Sequence, residues 1–364
     1  MKIAMIGQKG IPATYGGIER HVEEVGTRLA ARGHQVSVYC RLYYTRTKEK
    51  YHGVRLIRLP SVRTKHLDTA SHCALATLDS LFRKYDIVHF HALGPSMFSF
   101  LPRLVGAKTL VTVHGLDWQR EKWGKFASWV LRRCEYPAVK FPSRTVVVSR
   151  TLQDYFRAKY GKDTVVIPNG TNMPTPRPLS KLRKMNLEPG KYILFVGRLV
   201  PEKGCHFLVE AYERIDPDLK LVIAGGSSFS SEYVDGLKKH ASDKVVLLDY
   251  VYGEALDELW SNAYLVVQPS TLEGLSISLL EALSHGRCVL VSDIPENMEV
   301  VEDCAPTFRS KDVDDLTDRL RVLISSPDLV AGYEEKGRHL ILTRFTWDGV
   351  TSSLEKLYLE LLSD

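Results

Sequence analysis

Apolar runs of strand length alternate with stretches of helical period along the whole chain. Ile3–Ile6 reads as a strand, and Val22, Val25, Leu29 and Ala30 then fall on one face of a helix over Gly17–Arg32, which Gly33 stops. Gln35–Tyr39, Val54–Leu59, Ile87–Phe90, Leu110–Val113 and Thr145–Val148 are further strands, with helical patterns between most of them. The pattern restarts after Pro168-Asn169-Gly170 and a linker carrying Pro174, Pro176 and Pro178. Tyr192–Val196 is a strand, a helix opens near Gly204, and Leu219–Ala224, Val245–Leu248, Tyr264–Val267 and Cys288–Val291 complete a second set. Strands alternating with helices predict parallel βαβ units. The expected fold is therefore α/β, with two successive Rossmann-like domains over residues 1–170 and 171–345. Ligands of such sheets bind outside the carboxyl ends of the strands, so the expected site is a cleft across which the two domains face each other.

Length and composition agree with that reading. At 364 residues the chain is long enough for two domains. With 44% hydrophobic and 25% charged residues it does not match disordered, collagenous or coiled-coil chains. No window reaches the ~18 consecutive apolar residues of a spanning helix, and the opening Met1–Gly7 is too short for the apolar part of a signal peptide. The six cysteines lie far apart, with no CxxC pair, which fits a reducing, cytoplasmic setting better than a disulfide framework.

Charge changes the picture more. Residues 1–170 hold 28 Lys/Arg against 12 Asp/Glu, whereas the remainder holds 21 against 31. The net +6 thus hides a strongly basic N-terminal half, which favours an anionic partner.

Three loops carry candidate chemistry. After the strand ending near Gln268, Glu273 lies in a turn and Glu281 follows eight residues later. Were all eight steps helical, the carboxylates would return to one side about 12 Å apart, where each suits the hydroxyls of a sugar or ribose. The backbone N–H groups of Gly274, Leu275 and Ser276 at that helix start suit a phosphate. The alternative is a helix cap at Glu273 and a solvated face at Glu281. After Val196, Gly197-Arg198 and Lys203-Gly204 put two cations on a strand-to-helix turn, able to neutralise a diphosphate without forming a Walker A loop. After Ile6, the loop Gly7–Gly17 ends in the pair Gly16-Gly17 at a helix start, yet it lacks GxGxxG, and no acidic residue ends the second strand, which argues against NAD.

Together these loops resemble the GT4 family of retaining nucleotide-sugar glycosyltransferases, which have the GT-B fold. The resemblance spans nearly the whole chain: Gly16-Gly17, Val113-His114-Gly115, Val148-Ser149, Ile167–Gly170, Gly197-Arg198, Lys203-Gly204, Tyr250-Val251, the Glu273/Glu281 pair and Phe345-Thr346-Trp347. The opening Ile6–Glu19 is similar to members acting in bacterial surface-polysaccharide synthesis. What the resemblance implies is a nucleoside-diphosphate sugar donor, UDP ahead of GDP and dTDP, and a saccharide or lipid-linked acceptor. Arg198 and Lys203 would bind the diphosphate, Glu273 the sugar hydroxyls, Glu281 the ribose, and backbone near Val251 the base. His114 would meet the sugar, and Gly16 and Gly17 would close over the diphosphate. A last helix, about 346–364, would return to the first domain. No cofactor and no metal are implied, and no protein nucleophile is required.

Three other features stand out in the sequence. His89-Phe90-His91 puts two imidazoles on one strand face with too few ligands for zinc. Asp216-Pro217-Asp218 reads as a turn and not as a metal-binding DxD. Residues 117–137 interleave Trp118, Trp123 and Trp129 with Lys122, Lys125, Arg132 and Arg133, and Trp123, Phe126, Ala127, Val130 and Cys134 recur at helical spacing. This suits an anionic membrane surface, joined by Arg55, Arg58, Arg63 and Lys65; the alternative is an amphipathic helix packed on the sheet. The expected location is cytoplasmic, peripheral on the inner face of the membrane. No nucleic-acid-binding signature is present. The rival functions are a nucleotide-sugar epimerase, which product analysis without acceptor distinguishes, and a non-catalytic sugar-nucleotide-binding protein.

Overall fold

The computed structural model describes residues 1–364 except Tyr15, Thr47, Lys48, Lys122, Arg183, Lys184, 227–230 and Asp364, and omits the side chains of Ser231 and Leu342. Lys122 of the Trp-rich segment therefore lies outside the described residues. The chain divides into two compact units, Met1–Gly170 with Trp347–Asp364, and Thr171–Thr346.

The first unit contains β1 (Lys2–Ile6), β2 (Gln35–Arg41), β3 (Lys50–Tyr51), β4 (Val54–Leu59), β5 (Ile87–His91), β6 (Lys108–Val113), β7 (Arg144–Val147) and β8 (Val165–Val166), in the order β3-β4-β2-β1-β5-β6-β7-β8. All neighbours are parallel except β3 with β4. β1 and β5 are almost wholly buried, which explains their continuous apolar runs. The chain crosses over between β1 and β5, and there the sheet has its topological switch point. The C-terminal helix Trp347–Ser363 packs on the helix Gly17–Ala31: Arg28 Nε reaches Asp348 at 3.0 Å, and Arg32 and His34 both reach Glu355, at 2.7 and 2.6 Å.

The second unit contains β9 (Tyr192–Val196), β10 (Lys220–Ala224), β11 (Val245–Leu248), β12 (Leu265–Gln268), β13 (Val289–Ser292) and β14 (Thr307–Phe308), ordered β11-β10-β9-β12-β13-β14 and parallel throughout. Its core joins Ile193, Phe195, Leu265 and Leu290 of the sheet to Leu208 and Tyr212 of the helix Cys205–Ile215. Periodicity does not reveal β3, β8 and β14, because two residues are too few to show alternation. Asp216 caps the helix Cys205–Ile215 with φ 48°, and Asp216-Pro217-Asp218 lies on the connection from that helix to β10.

The second sheet has its switch point between β9 and β12, and backbone crowding there is severe. Gly204 has φ 67°, and a Cβ there would sit 2.0 Å from the carbonyl oxygen of Pro269. Gly33, by contrast, has φ 89° in open space. Gly33→Ala should therefore cost only the left-handed penalty, about 1–2 kcal/mol, whereas Gly204→Ala should cost at least about 3 kcal/mol because strain and overlap add. Urea unfolding midpoints of the two variants check the difference.

Candidate functional site

The sheet of the second unit brings the turn after β9 beside the loop after β12, since these strands are neighbours at the switch point. The Thr271 amide donates to the Glu202 carbonyl at 2.9 Å, which locks the two loops together. Lys203, which ends a 3-10 turn over Pro201–Lys203, thereby pairs its ammonium with the Glu273 carboxylate; their side chains are 13% and 8% exposed. Gln268, the polar last residue of an otherwise apolar strand, donates from Nε2 to Glu273 Oε1 at 3.0 Å, with Ser270 Oγ at 2.9 Å and Ser276 Oγ at 3.2 Å also in reach. Burial pushes the Glu273 carboxyl up, but the Lys203 charge and hydrogen bonds from Lys203, Ser270 and Gln268 outweigh it and hold the group below the ordinary carboxylate range. Glu273 is thus an acceptor-only anion at neutral pH, suited to hydroxyl donors. Gln268 is a site residue that the spacing of Glu273 and Glu281 does not expose; its one visible signal is polarity at a buried strand end.

The helix after this loop runs Ile277–Ser284. Only the last part of the interval between Glu273 and Glu281 is therefore helical, which corrects the 12 Å estimate. Glu273 does not cap the helix: Ser276 does, accepting from the Leu279 amide. Gly274, Leu275 and Ser276 are buried just before the helix, and Glu281 is half-buried on it. Arg198 is half-buried beyond the end of β9. Val251 lies on the loop after the edge strand β11, between Tyr250 and Tyr252, whose rings stack at 6.0 Å. The structure thus brings together Lys203, Glu273, Gln268 and Ser276, with Arg198 on the same turn as Lys203.

His114, Gly16 and Gly17 belong to the first unit. Gly16 precedes the helix Gly17–Ala31 and leans on Glu19, whose carboxylate accepts from the Lys9 amide at 2.9 Å. The Ala13 amide donates to Glu23 at 2.7 Å, so carboxylates of the helix fold the glycine loop back. His89 and His91 do share a face, with ring centroids 4.2 Å apart, but His21 and His114 join them. His91 Nδ1 lies 3.2 Å from His114 Nε2, and His21 Nδ1 lies 3.0 Å from Asn169 Oδ1. His21 was invisible as a partner because its helix is far away in sequence. Burial lowers the pKa of His21 to about 4 and of His89 to about 3, and lowers His91 and His114 well below the ordinary value, with the other histidines adding repulsion for the last three.

The helix of the Trp-rich segment spans Lys125–Arg133 and contains no buried residue. Phe126 and Trp129 point outward, 78% and 55% exposed, with ring centroids 6.1 Å apart. Arg133 lies over Trp129 at 5.2 Å. Trp118 is turned inward instead, donating from Nε1 to the buried Glu135 at 2.6 Å. Of the apolar stripe, Phe126 faces solvent, whereas Trp123, Ala127 and Val130 are half-buried and Cys134 is buried, so the helix is amphipathic and still turns part of its apolar face inward. Arg55, Arg58, Arg63 and Lys65 are all exposed.

An eight-stranded and a six-stranded sheet, each with a switch point and with polar and charged loops at the carboxyl ends of its parallel strands, make two Rossmann-like units of the GT-B class. Residues 15–173 match the family model Glycosyltransferase Family 4, and residues 181–340 match Glycosyl transferases group 1. The chain belongs to the GT-B glycosyltransferases. It is 28% identical to a glycosyltransferase of Methanocaldococcus jannaschii over 332 residues, covering 83% of each chain. Its fold resembles sucrose-phosphate synthase from Thermosynechococcus elongatus, with a TM-score of 0.86, 22% identity and 100% and 99% of the two chains covered. It also resembles Anabaena HepE in complex with UDP-glucose, with a TM-score of 0.82, 19% identity and 99% and 100% covered.

The histidine cluster makes a pH prediction. Above about pH 7 both folded and unfolded imidazoles are neutral. As pH falls below about 6.5 the unfolded chain takes up protons that the folded histidines refuse, so stability falls by about 1.4 kcal/mol per pH unit for each such histidine. The loss levels off only below the folded values. Urea unfolding of wild type and His89→Gln between about pH 7 and pH 5 measures it, and the variant should show the shallower slope.

Proposed function

We propose that the chain is a retaining, metal-independent GT4-type enzyme. It moves a sugar from a nucleoside-diphosphate donor, UDP ahead of GDP and dTDP, to a glycan or lipid-linked saccharide in bacterial cell-surface polysaccharide synthesis. The observation that carries this reading is the Lys203–Glu273 pair at a switch point, on the turn that also carries Arg198. A diphosphate needs cations, and Arg198 and Lys203 offer a fork and a point charge on one turn. A sugar needs fixed acceptors, and Glu273 is an anion oriented by Lys203 and Gln268. Glu273 holds the Lys203 ammonium in place; a diphosphate oxygen can take over that ammonium while the carboxylate turns to hydroxyls. UDP stands first because the structural relative HepE binds UDP-glucose.

In the reaction the bond from the anomeric carbon to the diphosphate oxygen breaks, and the bond to the acceptor oxygen forms on the same face. The acceptor proton leaves with the diphosphate. Arg198 and Lys203 stabilise the charge that develops on the leaving group, the kind of contribution worth about 100-fold or more per donor. Glu281 takes the ribose hydroxyls, backbone near Val251 the base, and the N–H groups of Gly274, Leu275 and Ser276 the phosphate side. In this reading His114 serves the transferred sugar, and Gly16 and Gly17 the diphosphate. Arg198→Ala and Glu273→Ala should each lower kcat at least about 100-fold, and UDP at 100 times its Kd should stabilise the wild type by about 2.7 kcal/mol. Rate assays, with and without EDTA, and thermal unfolding with UDP, GDP and dTDP check this. Full activity in both variants, or no shift with any nucleotide, would refute the site.

The acceptor side rests on the outward helix Lys125–Arg133. Exposed Phe126 and Trp129 beside Arg132, Arg133 and Lys125 match the interface of an anionic bilayer, where aromatic rings enter the headgroup layer and cations meet phosphate. Peripheral docking there would present a lipid-linked acceptor. In vesicle flotation, wild type should bind anionic and not neutral vesicles at low salt, and Phe126→Ser/Trp129→Ser should release it. Equal recovery of wild type and variant would remove the docking role.

A further inference from the structure

The first unit holds a second constellation, separate from the Lys203–Glu273 site. His21 comes from the helix Gly17–Ala31, His91 ends β5 and His114 follows β6; one nitrogen of each lies within 4.8 Å of the other two. His91 Nδ1 and His114 Nε2 share a hydrogen bond at 3.2 Å; replacing its proton by a metal needs little movement, because two nitrogens bound at 2.0–2.1 Å to one tetrahedral zinc ion lie about 3.3 Å apart. His21 Nε2 is buried and has no hydrogen-bond partner among the described residues. Native proteins rarely leave such atoms unmatched.

The tautomer of His21 follows from its neighbour. Asn169 Oδ1, 3.0 Å from His21 Nδ1, can only accept, so Nδ1 carries the proton and Nε2 presents its lone pair. An outer partner that orients an imidazole in this way is a regular feature of metal-bound histidine. His89 is not a ligand: the hydroxyls of Tyr358 and Thr112 hold its two nitrogens, each at 2.7 Å. Trp347 walls the site, edge-on to His21 at 5.6 Å. Arg120, the nearby cation, is paired with Asp117 at 3.1 Å. His114, the least buried of the three, gives access.

We propose that His21, His91 and His114 form a site for a divalent transition metal of the zinc class, with water in the fourth position. Three neutral imidazoles and one open position make an exchangeable site, unlike a closed four-ligand structural one. The further consequence, that the metal inhibits transfer by occupying His114, rests on the transferase reading. The site itself does not.

The test uses Co2+ on the metal-stripped full-length chain, because four-coordinate Co2+ absorbs strongly in the visible. The expected result is one equivalent of such absorption, displaced by Zn2+. His21→Ala and His91→Ala should abolish it, and Asn169→Ala should weaken Zn2+ binding about 10–100-fold. His89→Gln, which disturbs the same core without removing a ligand, should keep it. Circular dichroism identifies any variant that fails to fold, and Asn169→Ala, outside the ligand set, decides the matter if His91→Ala does. No visible band in the folded wild type, or a band that survives both His21→Ala and Asn169→Ala, overturns the proposal. The readout needs neither donor nor acceptor, so its failure is distinct from failure of the transferase reading.

Discussion

The second unit depends on one close approach: the turn after β9 lies against the loop after β12, with Gly204 beside the carbonyl of Pro269. A parallel sheet that reverses its winding direction leaves two neighbouring strands whose exits diverge, and the space between them is open to ligand. Here that space is lined at van der Waals contact. The same contact that tolerates only glycine sets Lys203 against Glu273 in a nearly dry position. A buried pair of this kind is a poor source of stability, since desolvation offsets most of the attraction. Its value is geometric. Each charge holds the other in place, and Gln268 ties the carboxylate to the strand end.

The first unit repeats the topology with different chemistry. Its switch point lies between β1 and β5, and around it the polar groups are imidazoles, not an ion pair. The C-terminal helix completes this core by placing Trp347 and Tyr358 against His21 and His89. Burial opposes protonation of all four rings, and repulsion from neighbouring histidines adds to it at His89, His91 and His114. Neutral imidazoles keep lone pairs available, which an ionised cluster would not. One architecture thus carries a charged, anion-seeking centre in one unit and a neutral, nitrogen-rich centre in the other.

Much of this was legible in the chain itself. Parallel strands buried on both faces are written as continuous apolar runs and a half-exposed one such as β4 as apolar positions broken by Arg55 and Arg58, so β1, β2, β4, β5, β6 and β7, and β9 to β13, could be read within a residue or two. Turn residues and the cations and carboxylates that follow strands are local signals too, and they singled out Arg198, Lys203, Glu273 and Glu281. The short edges β3, β8 and β14 were not legible, because their pairing comes from neighbours and not from pattern.

Tertiary structure alone decided which of these signals meet. Periodicity cannot tell that Lys203 pairs with Glu273, 70 residues away, or that Ser276 and not Glu273 caps the next helix. Nor can it tell that His21 reaches His91 and His114, or that Phe126 leaves the apolar stripe for solvent while Trp118 turns in to Glu135. The physical reason is the same in each case. Local sequence determines the backbone conformations and the faces available, whereas strand order and backbone crowding determine which side chains share a low-dielectric space, and so which become charged, neutral or exposed.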